Sequence, residues 1–297
     1  MSVVQGSQNL ENKLKIGIVL NTGFTIFEFI AGFLSGSLAL VSDAGHNLTD
    51  SLSLMISYFG NRVAKRDANE EHTYGYGRAT ILTALLNALI LLSLSIFIFY
   101  EAYKRILNPE PVQGMLVALV AFVGICVNGT IAFIFHKEQS DLNIKSAYIN
   151  MLFDALASVG AMLAGLLIVF TKMAIFDPIA SIVIGLFVLR AGWSVVKDTV
   201  HVLLEGVPSG VNMKQVKDAI TENNKLIKSV DDLHIWAISS QYAALNCHLV
   251  IEECDLEKSM QIVNEVKRTL REKYQIHHAT IETELVECLP DKEEKQF

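Results

Sequence analysis

The segment that decides the fold runs from Val41 to Gly60 and reads VSDAGHNLTDSLSLMISYFG. Its length matches the roughly 20 residues that a helix needs to cross the hydrocarbon core of a bilayer. It nevertheless carries Asp43, His46 and Asp50, and each mid-helix aspartate costs about 2.5–3.5 kcal/mol on insertion scales. Ionisable groups inside a membrane face a partner or water and mark functional sites. The segment therefore predicts a membrane helix built around a polar site.

The composition of the whole chain extends this prediction. The 297 residues are 52% hydrophobic and 19% charged, whereas soluble domains average about 25% charged residues. Just over half of the charged side chains lie in the last third of the chain. A helical membrane domain followed by a small soluble domain is the organisation that this contrast predicts. The six apolar stretches of spanning length are Ile16–Leu34, Leu38–Gly60, Thr80–Tyr100, Met115–Phe135, Ser146–Phe170 and Ala174–Val196.

The predicted domain boundary lies at residues 204 and 205. Residues 1–204 form the membrane domain of six transmembrane helices, and residues 205–297 form the soluble domain. In the soluble part, helical periodicity alternates with the two-residue period of strands, in the order α-β-β-α-β. That order predicts a small open-faced α+β sandwich. The helices are expected at Val211–Asn223 and Leu256–Lys273, and the strands at Asp231–Ser239, Ala244–Glu252 and Ala279–Glu287.

Charge predicts the orientation in the membrane. Six crossings place both termini on one side, and cytoplasmic segments carry an excess of Lys and Arg. Nine basic residues fall on the side of the termini, and three fall on the other side. The chain is thus expected in the cell membrane as a multi-pass protein with both termini in the cytoplasm. The nine are Lys13, Lys15, Arg62, Lys65, Arg66, Arg78, Lys137, Lys145 and Lys197, and the three are Lys104, Arg105 and Lys172.

Two pairs of polar residues predict a metal site between two spans. His46 and Asp50 are four residues apart and share one helical face, and Asn150 and Asp154 repeat that spacing in the fifth span. Nitrogen and oxygen ligands in this number suit a tetrahedral zinc ion. Asp43 lies one turn toward the outer side and is a candidate for gating or catching the ion. Other intramembrane polar residues either line the ion path or bond between helices; they are Asn21, Glu28, Asn87, Asn128 and Arg190.

Five ordered motifs carry a resemblance to a known family. They read SLALVSDAGHNLTDSLSL, EEHTYGYGRATIL, SAYINMLFDALASVGAMLAGLL, DPIASIVIGLFVLRAGWSVVKDTVHVLLEGVP and DLHIWAISS. Together they resemble the cation diffusion facilitator family, and most of all its bacterial zinc, cobalt and cadmium branch. The resemblance implies a six-span domain, a cytoplasmic ferredoxin-like domain, a homodimer and metal/proton antiport.

The same resemblance implies where metal binds. The transport site falls on His46, Asp50, Asn150 and Asp154. The zinc-transporting branch usually has His where this chain has Asn150, and an amide oxygen is a harder ligand than imidazole. A regulatory site in the cytoplasmic domain falls on His234, His248, His277 and Glu284, with Cys288 as a further candidate. A second family site, in the loop around His72, has Tyr76 where some relatives have histidine, so a structural role is favoured there.

The predicted function is efflux of Zn²⁺, with Co²⁺ and Cd²⁺ as further candidate ions, in exchange for protons. Zinc is then both the transported and the regulatory ion, and no prosthetic group is expected. The partners are the metal ion, protons, the lipid bilayer and a second copy of the chain. With a net charge of −7, no surface is basic enough to suggest nucleic-acid binding.

Three other functions stay open at this level. Asn150 allows an exporter of the same family that prefers Mn²⁺ or Fe²⁺. A membrane metal sensor without flux would use the soluble domain as its output. A membrane metallo-hydrolase would need a general base beside an open metal position, and the chain has no HExxH motif. The sequence therefore favours a transporter over an enzyme.

Overall fold

The computed structural model describes residues 2–136, 142–239, 242–252 and 255–285. Its first two-thirds consists of six long helices, which confirms the predicted helical domain. The first five helices cover their predicted spans and extend beyond them, since helical hydrogen bonding continues past the apolar core. The sixth begins at Phe176, two residues after its predicted start, and also ends beyond its predicted span. The helices are α1 (Ser2–Ser35), α2 (Leu38–Ala64), α3 (Ala79–Leu107), α4 (Gly114–Phe135), α5 (Leu142–Thr171) and α6 (Phe176–Leu203).

Four of these helices are clear membrane spans by length and composition. Within the described residues they are α3, α4, the Tyr148–Thr171 part of α5, and α6. Helix α1 contributes a shorter apolar stretch, Val19–Ser35. Helix α2 carries the polar residues that identified it in the sequence.

Glycines set the contact between α4 and α5. A Cβ atom on Gly165 would lie 2.7 Å from the backbone nitrogen of Ala118 and 2.7 Å from the carbonyl oxygen of Gly114. No side chain fits there, so the two backbones are in direct contact, as is common where small residues line a membrane helix interface. Small and β-branched residues from α4, α5 and α6 continue this core; they include Val117, Ala121, Ala161, Ile184 and Val188.

The C-terminal part forms the predicted α-β-β-α-β order. Its elements are α7 (Met213–Thr221), β1 (Ile227–Ser239), β2 (Tyr242–Ile251), α8 (Leu256–Tyr274) and β3 (Ile276–Leu285). The sheet order is β1-β2-β3, with β1 antiparallel and β3 parallel to β2. Helix α8 supplies the crossover that the parallel pair requires. The predicted third strand extended to Glu287, and residues after Leu285 lie outside the described part.

Local signals place the two helices of this domain. The side chain of Asn212 caps α7 by accepting from the backbone N–H groups of Lys214 and Gln215. Asp255 caps α8 in the same way, accepting from Lys258, and α8 ends at Gln275 in the left-handed conformation. Their apolar faces cover one face of the sheet, leaving the other face available for polar residues. The core includes Val216, Ile220, Ile235, Leu245, Leu249, Ile262, Val266 and Leu270.

The chain divides into two compact units. The first combines Met1–Ile56 with Leu86–Ser194, and the second combines Ser57–Leu85 with Val195–Phe297. The residues of the predicted transport site all belong to the first unit. Those of the predicted regulatory site belong to the second.

Candidate functional site

Helix α2 presents His46 and Asp50 one turn apart on one face. Their Nε2 and Oδ2 atoms are 4.0 Å apart, and the side chains are 23% and 44% exposed. The Nδ1 atom of His46 is buried and has no hydrogen-bond partner among the described residues. Both side chains therefore offer ligand atoms from the middle of a membrane helix.

Helix α5 brings Asp154 to this pair. Asp154 is only 5% exposed, and its charge interacts with those of His46, Asp50 and Asp43. Asn150 lies one turn earlier on the same helix, where it is exposed, and no described contact links it to the other three residues. Asp154 thus lies within electrostatic range of His46 and Asp50, without these three described side chains forming a group arranged to hold a metal ion.

A pair of buried carboxyl groups lies beside this cluster. Glu28 of α1 is 0% exposed and Asp43 of α2 is 1% exposed, and the two carboxyl groups are within hydrogen-bonding reach of each other. Ser158 of α5 donates to Asp43 over 3.4 Å. The oxygens of Glu28 have no donor among the described residues. Two carboxylates in contact repel unless a proton or cation lies between them, so this pair requires one or the other.

Buried amide groups continue the polar interior. Asn87 of α3 donates to the carbonyl oxygen of Ser53 in α2 over 3.3 Å, so it bonds between helices. Asn128 of α4 is 0% exposed, and neither its oxygen nor its nitrogen has a described partner. Since buried polar groups are normally bonded, Asn128 is a better candidate than Asn87 for lining a path filled by water or ions.

The end of the membrane domain at which α2 and α6 begin holds a second polar cluster, which sequence reasoning missed. Asp177, at the start of α6, is 0% exposed and accepts from the backbone of Leu38 over 2.7 Å and of Ala39 over 3.3 Å. It also accepts from the Ser37 hydroxyl over 2.5 Å. An acid at the first turn of an apolar stretch, together with the SGS turn at residues 35–37, was the available signal.

Arg105 completes this second cluster from the end of α3. Its Nη1 donates to the carbonyl oxygen of Gly36 over 2.5 Å and lies 3.7 Å from the Oδ2 atom of Asp177. Gly36 has a φ of +68°, and a Cβ there would lie 2.8 Å from the carbonyl oxygen of Pro111. Only glycine fits this turn. Glu101 also bonds the guanidinium, over 3.4 Å.

In the cytoplasmic domain, the structure brings together His248 of β2 and Glu284 of β3. The Nδ1 atom of His248 is hydrogen-bonded to a carboxylate oxygen of Glu284. This bond, with the nearby charges of Glu284, Glu282 and Asp232, raises the pKa of His248, and partial burial opposes the rise. The Nε2 atom lies 3.9 Å from Glu282 and 4.0 Å from Asp232.

Of the other two predicted ligands, His234 shares the neighbouring Asp232 carboxylate with His248, and His277 contacts a different side chain. His234 contacts Asp232, with 2.9 Å between Nε2 and Oδ1, and His277 stacks on Tyr242 with ring centroids 6.2 Å apart. No group of three or more His, Cys, Asp or Glu side chains is arranged to hold a metal ion in the described ranges. Sequence reasoning missed Glu282, although the alternation of β3 places it on the same face as Glu284. Cys288 lies outside the described residues.

The loop around His72 is organised by its own contacts. His72 stacks on Tyr76 with ring centroids 4.4 Å apart. Asn69 donates to the Tyr76 hydroxyl over 3.0 Å and accepts from the backbone of His72 over 2.7 Å. These contacts favour the structural role over a metal site.

Comparisons with known proteins match both parts of the chain. The family model of the cation efflux transmembrane domain matches residues 14–204, and that of the cation efflux protein cytoplasmic domain matches residues 208–286. The cadmium, cobalt and zinc/H(+)-K(+) antiporter of Bacillus subtilis is 39% identical, over 91% of this chain and 88% of its own. The metal cation efflux system protein CzcD of Cupriavidus metallidurans is 38% identical, over 94% and 88%.

Two further comparisons extend the set. The zinc transporter ZitB of Escherichia coli is 34% identical, over 94% of this chain and 89% of its own. Among solved structures, the metal-bound C-terminal domain of a CzcD transporter is 36% identical over 25% of this chain and 100% of its own, with a TM-score of 0.23. The family models and the full-length relatives settle the family. This chain, with its helical membrane domain and its small α+β domain, belongs to the cation efflux family.

Proposed function

We propose that this protein exports Zn²⁺ from the cytoplasm across the cell membrane in exchange for protons, and that it also carries Co²⁺ and Cd²⁺. The names of the relatives support these ions, since they describe cadmium, cobalt and zinc antiport, metal cation efflux and zinc transport. A transport reaction needs no prosthetic group, because the metal ion is the substrate.

One observation carries the proposal. Two separate membrane helices carry ionisable side chains close enough to interact electrostatically, Asp154 on α5 with His46 and Asp50 on α2. A cluster with two carboxylates in low dielectric is unfavourable when empty and favourable when a dication occupies it. His46 and the two aspartates supply nitrogen and oxygen ligands of the kind that zinc accepts.

Asn150 completes the proposed ligand set. Its backbone lies one turn before Asp154, so a rotamer change or a small rotation of α5 would bring its amide oxygen toward the ion. An oxygen there in place of a second imidazole makes the site harder. We therefore expect a broader ion range than in two-histidine relatives, with Mn²⁺ as the competitor to test.

Protons provide the driving force in this scheme. An imidazole nitrogen binds either a proton or a metal ion, so a proton on His46 competes with the metal for the same nitrogen. On the outer side, proton binding at this nitrogen favours metal release. On the inner side, metal binding displaces the proton, which couples the two fluxes.

The C-terminal domain supplies regulation in this proposal. His248 and Glu284 form the centre of a cytosolic zinc site, which His234 and His277 would complete. Zinc bound there would stabilise a homodimer and bias the transport domain through linkage. The proposal divides the chain at residues 204 and 205 and places both termini in the cytoplasm, as the Lys and Arg distribution favours.

Zinc flux into sealed vesicles under an imposed pH gradient tests the proposal. Wild type should accumulate zinc only while the gradient lasts, and Asp154→Asn should abolish accumulation. Ser95→Ala is the matched control, since Ser95 is buried and its hydroxyl donates within its own helix to Leu91 over 3.0 Å. Zinc binding to wild type without flux would instead identify a sensor. Normal flux in Asp154→Asn would remove Asp154 from the site.

A further inference from the structure

The outer end of α2 is held by a side chain from another helix. The first backbone N–H groups of any helix lack partners within that helix. In α2 the backbone N–H groups of Leu38 and Ala39 donate to the Asp177 carboxylate of α6. The backbone N–H of Leu40 donates to the Ser37 hydroxyl over 3.2 Å. All the atoms involved are buried, so each bond is made away from competing water.

A local cap would not need a second helix. A serine at the N-cap can satisfy the end of a helix by itself, and Ser37 already does so in part. A carboxylate on α6 has a further effect, because it fixes the position of α2 along its axis relative to α6. It also places a negative charge at the positive end of the α2 dipole.

Arg105 keeps this connection in place. Its guanidinium bonds the Gly36 carbonyl in the α1–α2 turn and lies 3.7 Å from Asp177. The backbone N–H of Gln113, before α4, donates to the carbonyl oxygen of Ser35 over 2.9 Å. The outer ends of α1, α2, α3, α4 and α6 are thereby joined around one carboxylate.

A displacement of the first turn of α2 is transmitted along the helix to the proposed transport site. His46 lies about 12 Å from Leu38 along a continuous helix that rises 1.5 Å per residue. A shift of the first turn therefore moves His46 and Asp50 by a similar distance relative to Asp154 on α5. Ligand sets for metals tolerate displacements of only about 0.2–0.5 Å.

We propose that Asp177 is a positioning residue for transport, which sets the height of His46 and Asp50 against Asp154 by holding the outer end of α2. It does not touch the ion. This inference rests on the proposed function, because it concerns the same transport site. Ser37 has a smaller part in it, as the second acceptor at the end of α2.

Initial rates of zinc uptake into vesicles, measured over a range of zinc concentrations, test this role. Rates are expressed per molecule of inserted protein, so that KM and Vmax are separated from expression. Asp177→Ala should raise KM about tenfold or more, the size expected when about 1.4 kcal/mol of ligand alignment is lost. Asp177→Asn should lie between Ala and wild type, because its amide keeps one acceptor oxygen but its NH₂ group cannot accept.

Ser37→Ala and Ser181→Ala complete the set. Ser37→Ala should raise KM by about two- to threefold, since it removes one neutral hydrogen bond at the end of α2. Ser181 is the matched control, because it is buried on α6 one turn after Asp177 and bonds only its own helix, to the Asp177 carbonyl oxygen over 2.8 Å. Its removal should leave KM unchanged.

The outcomes separate the two proposals. If KM stays within about twofold of wild type in the Asp177 variants while only the amount of inserted protein falls, Asp177 is a structural cap and the inference is wrong. If neither Asp177 variant inserts, the comparison of Ser37→Ala with Ser181→Ala decides in the same way. Absence of zinc flux in wild type, or normal flux in Asp154→Asn, would instead overturn the proposed function.

Discussion

Two buried polar regions of the membrane domain use their polar atoms differently. At the end where α2 and α6 begin, Asp177 has three hydrogen-bond donors and a guanidinium nearby. In the interior, Glu28 and Asn128 are equally buried, but the Glu28 oxygens have no described donor and the Asn128 amide has no described hydrogen-bond partner. Burial alone therefore does not identify the ion path. Polar groups with hydrogen-bond partners hold helices together, whereas buried polar groups without partners are available to bind water, a proton or a cation.

The largest effect is expected at the transport ligands. Asp50→Ala and Asp154→Ala should each reduce zinc flux below about a tenth of wild type while the protein still inserts, since an apolar residue lowers the insertion cost. Vesicle uptake per inserted molecule measures this. Flux above that level in either variant would show that the aspartate is not a ligand of the transported ion.

Removing a buried carboxyl group should lower thermal stability in the first region but not in the second. Asp177→Ala leaves the N–H groups of Leu38 and Ala39 buried without partners, at about 1–3 kcal/mol each. Glu28→Gln removes a buried carboxyl group that lacks a described donor, so stability should stay the same or rise. Thermal unfolding in detergent measures both. Equal losses in the two variants would remove the distinction between the regions.

The same Glu28→Gln variant should transport zinc poorly despite its stability. An amide cannot bind the proton that the Glu28–Asp43 pair requires, and its neutral oxygen attracts a cation less strongly than a carboxylate does. Ser95→Ala again serves as the control for a buried polar residue outside the path. Wild-type flux in Glu28→Gln would place the pair outside the transport reaction.

Selectivity should change at the fourth ligand. Asn150→His adds an imidazole, which zinc favours more than manganese does, so the zinc-to-manganese uptake ratio should rise about tenfold, or about 1.4 kcal/mol. Competition between the two ions in wild-type and variant vesicles measures the ratio. An unchanged ratio would mean that Asn150 does not contact the ion and that water or Asp43 completes the site.

The smallest effect concerns pH and the cytoplasmic domain. The pKa of His248 is raised in the folded state by Glu284, so the pair stabilises the metal-free fold below the unfolded pKa. That stabilisation is lost as pH rises through the folded pKa. With EDTA present, the domain should therefore resist urea better near pH 6 than above pH 8. Glu284→Gln should reduce the difference.

Fluorescence of Trp236 in a Trp193→Phe background follows this unfolding in the full chain. Glu272→Gln, which alters an exposed carboxylate on α8, should keep the pH dependence of wild type. An identical pH dependence in Glu284→Gln would show that the His248–Glu284 bond does not contribute to it.

Much of this molecule could be predicted from its sequence because the signals are local. The length of the apolar stretches predicts the positions of the membrane helices. The periodicity of apolar residues predicts the order of helices and strands in the small domain, including the helices that Asn212 and Asp255 cap. The i,i+4 spacing of His46 and Asp50 fixed their common face. None of these predictions depends on which helices are neighbours in the folded protein.

The rest depends on contacts between distant segments. Asp177 and Ser37 are separated by 140 residues in sequence, and a single chain contains no signal that pairs them. Glu28 looked like any isolated polar residue until α1 and α2 placed it against Asp43. His277 appeared equivalent to His248, yet the register of β3 directs it toward Tyr242.

The glycine contact between α4 and α5 limits how the protein moves during its cycle. Backbones packed this closely cannot slide past each other without steric clash, so the two helices travel as a rigid pair. Asp154 is carried on that pair, whereas His46 and Asp50 are carried on a helix tied to α6. If these residues bind the ion as proposed, we expect access to alternate by displacement of the α4–α5 pair against the helix that carries His46 and Asp50.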